Sequence, residues 1–192
     1  MNTSALGLVF LVACGSGSSA PPTAPPTAAD WSEAVAGLRV SLAVPATVSA
    51  STKEVEATIT LRNDTDEPMR VLVVRPEIFR ANISSLRVWQ ADHVVSLQPD
   101  PHPHGYLVTE DDFPQIAPHA TYSYKQTLRI DGALATPGDY EVELLLENQN
   151  KRWPGGVQTL DGPTKPLFGG TDVPGMWVGK LTSQRRRFSV RA

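Results

Sequence analysis

Residues 54–68 read "EVEATITLRNDTDEP", and most of the fold follows from how this stretch divides. Val55, Ala57, Ile59 and Leu61 alternate with Glu56, Thr58 and Thr60. Successive side chains of an extended chain point to opposite faces, so a period of two describes a strand with one apolar and one polar face. "NDTDEP" at 63–68 then concentrates turn-forming residues and ends the strand.

The same pattern recurs on both sides. "GLRVSLAVP" places Leu38, Val40, Leu42 and Val44 on one face and Arg39, Ser41 and Ala43 on the other. "MRVLVVR" at 69–75 is apolar on both faces and reads as a central strand. "SLRVWQ", the turn "ADH" and "VVSL" form a hairpin pattern. "ATYSYKQTLRI" alternates Tyr122, Tyr124, Gln126, Leu128 and Ile130. After the turn "PGD", "YEVELLLE" sets Tyr140, Val142, Leu144 and Leu146 against Glu141, Glu143 and Glu147. "MWVGKLTS" (176–183) and "RRRFSVR" (185–191) close the chain, with "RRR" as the solvated start of an edge-guarding strand. Trp89 and Trp177 fall within strands and are assigned to the core. "DWSEAVAGL" has room for one helical turn. Short strands separated by turns predict an all-β fold, an antiparallel β-sandwich of about 7–9 strands.

Composition limits the function. The chain of 192 residues suits one domain with extensions. Its 17 prolines argue against an all-helical protein. A net charge of −3 gives no basic surface for nucleic acid. The single cysteine excludes an intramolecular disulfide and a multi-cysteine zinc site.

That cysteine, Cys14, follows the apolar run "LGLVFLVA" (6–13), which is shorter than the roughly 20 residues that span a bilayer. The run fits the apolar core of an export signal. "L-V-A-C-G" at 11–15 resembles the lipobox of bacterial lipoproteins. The resemblance implies a signal peptide over 1–13, lipid (palmitate-type acyl chains) on Cys14 as the first mature residue, and anchoring in the cell envelope. With Gly15 rather than aspartate next, it implies the outer membrane in a Gram-negative cell. "MNTSA" departs from the pattern by lacking a basic residue. Residues 14–36 are then a flexible Pro/Ser/Ala tether, too poor in large apolar side chains to offset the entropy of ordering.

Residues 37–192 carry a second resemblance. "LRVSLAVPATVSASTKEVEATITLRNDTDEPMRVLV", "YLVTEDDFPQIAPHATYSYKQTLRI", "TPGDYEVEL" and "WVGKLTSQRRRFSV" look like successive segments of the immunoglobulin-like domain that accompanies deuterolysin-type (peptidyl-Lys) metalloendopeptidases. This implies an immunoglobulin-like sandwich. His119 stands where that family has a glycine in its "A-P-G" turn. The catalytic domain is missing: none of His93, His102, His104 and His119 begins an HExxH motif. The resemblance therefore carries over a fold and no catalytic residue.

Two proline-rich stretches, 99–118 and 148–175, interrupt the strands and are the candidate binding loops. "DPHPHG" offers His102 and His104 near Asp100 and the acids 110–112, but alternating prolines splay neighbouring side chains apart, and no metal is assigned. Trp153 in "NKRWPGG" is the candidate exposed aromatic. The sequons "NDT" and "NIS" are read as turn and strand. No G-x-S-x-G motif is present, and no cofactor is expected. The sequence thus predicts a non-catalytic envelope lipoprotein. Its partners would be the membrane, through acylated Cys14, and an envelope protein or peptide. The alternative is a regulator or inhibitor of a protease, with a metal-dependent enzyme a distant third.

Overall fold

The structure, a computed structural model, describes residues 26–27, 30–73, 84–95, 109–130, 132–152, 156–157 and 165–192. In chain order its strands are β1 (Leu38–Ala43), β2 (Thr47–Ser49), β3 (Glu54–Asn63), β4 (Met69–Arg70), β5 (Ser84–Gln90), β6 (His93–Val95), β7 (Gln115–Ile116), β8 (Thr121–Arg129), β9 (Gly138–Asn148), β10 (Gly156–Val157), β11 (Lys165–Pro166), β12 (Gly179–Thr182) and β13 (Arg186–Arg191). Several are two- or three-residue pairs, so the segments outnumber the 7–9 strands expected. Short 3₁₀ turns occupy Glu110–Asp112, Gly132–Ala135 and Leu167–Gly170.

Two sheets pack face to face. Sheet I has the order β1-β3-β8 and is antiparallel throughout. Sheet II has the order β2-β13-β9-β5-β6, with β12 also on β9. The alternation read from sequence sets the core: Leu38, Val40 and Leu42 of β1, Val55, Ala57, Ile59 and Leu61 of β3, and Tyr140, Val142, Leu144 and Leu146 of β9 are all buried between the sheets.

The chain changes sheets at Pro45. Proline has no N–H to donate, so pairing of β1 with β3 stops at Ala43 and β2 joins sheet II parallel to β13. β12 and β13 form one interrupted strand along β9. Ser183, Gln184 and Arg185 lie between Thr182, opposite Leu145, and Arg186, opposite Val142, so three residues face two. This is a β-bulge. The Ser183 hydroxyl accepts the Leu144 N–H at 2.9 Å in place of a backbone carbonyl. The extra residue shifts the alternation, so that Leu181, Phe188 and Val190 all face the core.

The Tyr140 hydroxyl donates to the Thr136 carbonyl at 2.7 Å, pinning the corner where the chain passes from sheet I to sheet II. Burial raises the pKa of this phenol, keeping it a donor.

Four expectations are corrected. Residues 30–36 belong to the sandwich and not to a flexible tether. The Ser32 N–H donates to the Val40 carbonyl, Trp31 is buried, and Arg186 binds Asp30 at 2.6 Å. "DWSEAVAGL" forms no helical turn over 31–37, because Ala36 and Gly37 (φ 47° and 78°) make a tight turn between the bridge partners Val35 and Leu38. "MRVLVVR" is not a central strand: of its described residues, 69–73, only Met69–Arg70 form a strand, paired with β7, and Val71, Leu72 and Val73 are buried as a plug beneath the loops. The strand begun by "RRR" guards no edge, because β2 and β9 flank β13.

Asp64 ties the N-terminal segment to sheet I. It accepts from Arg39 Nε and Arg62 Nε, both at 2.6 Å. Arg39 also reaches the Ser32 carbonyl, and Arg62 lies 4.8 Å over the Trp31 ring. Hydrogen bonding from Arg62, and after it from Arg39, holds the Asp64 carboxyl below the usual carboxylate range against the effect of burial. A depressed pKa contributes stability that is present above the unfolded value of about 4 and lost as pH falls through the folded one. Thermal unfolding should therefore show a flat melting temperature down to about pH 5 and a fall below about pH 4. Asp64→Asn should lower the neutral-pH plateau and flatten that acid limb; identical limbs would contradict this account. Ala36→Asn should stabilise the protein by about 1 kcal/mol in chemical denaturation, because asparagine tolerates the left-handed conformation of the first turn position.

Candidate functional site

One end of the sandwich gathers residues 64–73, 109–120, 149–152 and 165–178, parts of the connections leaving β3, β6 and β9. Two buried asparagines organise it. Asn63 ends β3 and is fully buried. Its Nδ2 donates to the carbonyls of Glu67, Ile116 and Ala117 at 2.7, 3.2 and 3.3 Å, while its Oδ1 accepts the Thr65 N–H and hydroxyl. Asn148 ends β9. Its Nδ2 donates to the carbonyls of Asn150 and Trp177, and its Oδ1 accepts the Asn150 N–H. Each amide thus folds the start of its own loop and holds a second segment. The "NDT" sequon is no glycosylation acceptor in the folded protein, because Asn63 has no exposed surface.

Above these hubs sits an apolar plug of Met69, Val71, Leu72, Phe113, Ile116 and Val173. Backbone bonds knit it together: Val71 N–H to Pro114, Val73 N–H to Asp112, Arg70 N–H to Gly175 and Trp177 N–H to Arg70. The Arg70 guanidinium bonds the Phe113 carbonyl and Gln115 Oε1, each at 3.0 Å, and lies 5.5 Å over the Phe168 ring. Phe168 meets Phe113 edge-on at 5.4 Å, and its N–H donates to Glu110 Oε1. Phe168, Gly169 and Gly170 all have positive φ, so this segment turns left-handed over the plug. Buried Asp112 closes the Glu110–Asp112 turn by accepting the Thr109 N–H and hydroxyl.

The two stretches singled out in the sequence, 99–118 and 148–175, therefore meet through their described parts. Asp66, Glu67, Glu110, Asp111 and Asp172 are exposed at this end, against the exposed cations Lys151 and Arg152. His119 has φ 55° at the second central position of the Ala117–Ala120 turn, a left-handed conformation that favours glycine, and its Nε2 lies 2.9 Å from Asp66 Oδ1. Among the described residues no three His, Cys, Asp or Glu side chains cluster as for a metal. The arrangement presents a shaped, acid-biased surface.

Cys14, His102, His104 and Trp153 lie outside the described residues. The "RRR" run is placed, and its members diverge. Arg185 stacks 3.9 Å over Trp89 and bonds Glu141 and Glu143, Arg186 bonds the Leu42 carbonyl and Asp30, and Arg187 bonds Glu141. Trp177 is a core residue, with its Nε1 donating to the Val35 carbonyl. Trp89 is not: it stands on the outer face of sheet II, because Leu86 and Val88 take the inward positions of β5. Sequence reasoning missed the roles of Asn63 and Asn148. Their signal was a polar residue at the strand position where alternation calls for an apolar one.

No protein-family model matches the chain, and no curated protein is significantly similar to it.

Asn63→Ala should destabilise the fold by roughly 3 kcal/mol, since it leaves buried loop carbonyls without their donor. Chemical denaturation checks the magnitude, and amide hydrogen exchange should be fastest in residues 64–73 and 115–120.

Proposed function

We propose that this protein is a lipid-anchored, immunoglobulin-like module of the bacterial cell envelope that recognises a protein or peptide through the loop end of its sandwich and performs no chemistry. The observation that carries the reading is the placement of that end. The chain reaches the domain at Pro26–Asp30, beside Leu42, Ala46 and Arg186, in the half of the sandwich away from the loops. Entry of the chain at that half leaves the convergent loops clear of its approach, where a partner has access. Recognition loops on a rigid sandwich are a common use of such a scaffold.

Three further features support it. The "L-V-A-C-G" motif fits lipidation, and several acyl chains give stable anchoring at about 0.8 kcal/mol per buried methylene. The strand arrangement fits an immunoglobulin-like sandwich: the first strand is split between the sheets, β2 runs parallel to the last strand, and Tyr140 forms a tyrosine corner. Among the described residues of the loop end exposed carboxylates outnumber exposed cations, so a complementary partner surface is basic and association weakens with salt.

Fractionation of cells carrying Cys14→Ser should move the protein from the membrane pellet to the soluble fraction; continued pelleting with lipid would remove the anchor. A photo-crosslinker placed at Asp172 or Asp111 should capture a partner that one at Lys125, on the face of sheet I, does not. Capture from Lys125 alone would sink the loop-end reading, and capture of a peptidase from the loop end would turn it into a protease regulator.

A further inference from the structure

A second surface is independent of the loop end. Between the N-terminal segment and the outer face of sheet I runs an open groove of about 630 Å³. Its floor is a row of hydroxyls. Ser41, Thr60 and Ser123 stand opposite one another on β1, β3 and β8, with Thr58 one position along on the same face. Adjacent strands lie about 4.8 Å apart, so the row spans about 10 Å. Pro26, Trp31 and Val44 supply an apolar wall.

The floor is enclosed to a degree unusual for the outward face of a strand. Ser41 is 3% exposed and Thr60 is 9% exposed. Thr60 shares a hydrogen bond of 2.9 Å with Ser123, whereas no described residue hydrogen-bonds the Ser41 hydroxyl, which lines the groove. That hydroxyl opens on the groove and is left, among the described residues, for a molecule seated there to bond.

The chemistry of the lining selects the ligand class. The groove overlies a sheet face, where backbone groups are already spent in the β1-β3-β8 ladders, so an added peptide strand finds no main-chain partners. An apolar ligand would leave the Ser41 hydroxyl unpaired, at a cost. The guanidinium groups around the groove are neutralised: Arg62 by Asp64, Arg186 by Asp30 and Arg187 by Glu141. Among the described residues no uncompensated cation remains there to draw a phosphate or a nucleic acid. Hydroxyls that both donate and accept, facing an apolar wall, match a ligand with ring C–H faces and a rim of hydroxyls. We propose that this groove binds a neutral saccharide chain, with Ser41, Thr58 and Thr60 as its hydrogen-bonding floor.

The test uses the full chain in a non-glycosidic detergent, titrated with the tetramer of β-1,4-linked N-acetylglucosamine and with maltotetraose; inorganic phosphate and tetra-alanine are the controls. One of the saccharides should shift the amide resonances of Ser41, Thr58, Thr60 and Ser123 in a saturable way. Ser41→Ala and Thr58→Val should each weaken that binding about tenfold with the melting temperature unchanged. Ser189→Ala, on sheet II, should leave it intact. The proposal is overturned if neither saccharide moves these resonances at about 10 mM. It is equally overturned if phosphate or tetra-alanine moves them as strongly, or if both floor variants bind as the parent does. None of these outcomes bears on the loop end, so the two surfaces stand or fall separately.

Discussion

The amide of Asn63 is the point on which the arrangement of the loop end depends. A buried side-chain amide must find partners for its two N–H bonds and its oxygen, and here every one comes from backbone or side chain of the loops. The strand ends where it does because its last inward position is occupied by a group that the core cannot satisfy. Asn148 repeats the device on the facing sheet, reaching the Trp177 carbonyl. Two polar residues at the rim of an apolar core thus hold the described parts of the connections after β3 and β9, and the plug around Phe113 and Val71 packs on what they define.

The outer faces of the sheets follow a different rule from the inner ones. On sheet II, Glu141, Glu143, Glu147 and Asp139 alternate with Arg185, Arg187, Lys180 and Arg191 in cross-strand ion pairs that contribute little each and together leave no strong field. On sheet I hydroxyl residues (Ser41, Thr58, Thr60, Thr121, Ser123 and Thr127) share the outward positions of β1, β3 and β8 with charged ones, and the N-terminal segment partly covers the hydroxyls around Ser41 and Thr60. Asp30, Arg186 and Asp64 hold that segment in place. Hydrogen bonds from Thr27, and after them the Arg186 guanidinium, depress the pKa of Asp30, so the clasp is charged at neutral pH. The domain therefore offers two chemically distinct surfaces on one rigid frame: a carboxylate-rich loop end and a hydroxyl-floored groove at its flank.

The alternating stretches were legible because burial between two sheets imposes a period of two, and that period survives in any single strand. The residues of 38–42, 55–61 and 140–146 fall where their alternation places them. The reading failed where a residue is buried for another reason. Val71 to Val73 are apolar because loops cover them, and Trp89 is large and aromatic yet outward, shielded by Arg185. Trp31 and Ser32 looked like the end of a tether because so short a segment shows no period of its own.

By itself the sequence determined the fold class, the longer strands β1, β3, β5, β8, β9, β12 and β13, most residues of the central core and the turn that ends β3. These are local properties, set by side-chain alternation and by backbone preferences of Gly, Pro, Asn and Asp. Only the tertiary structure decided which strands are neighbours, that Pro45 sends β2 to the opposite sheet, that a bulge at Ser183 restores the inward face of β13, and that the loops meet at one end while Ser41 and Thr60 become a groove floor. Those features depend on pairing between residues far apart in the chain, where register and enclosure are set by the partner strand and leave no trace in either segment alone.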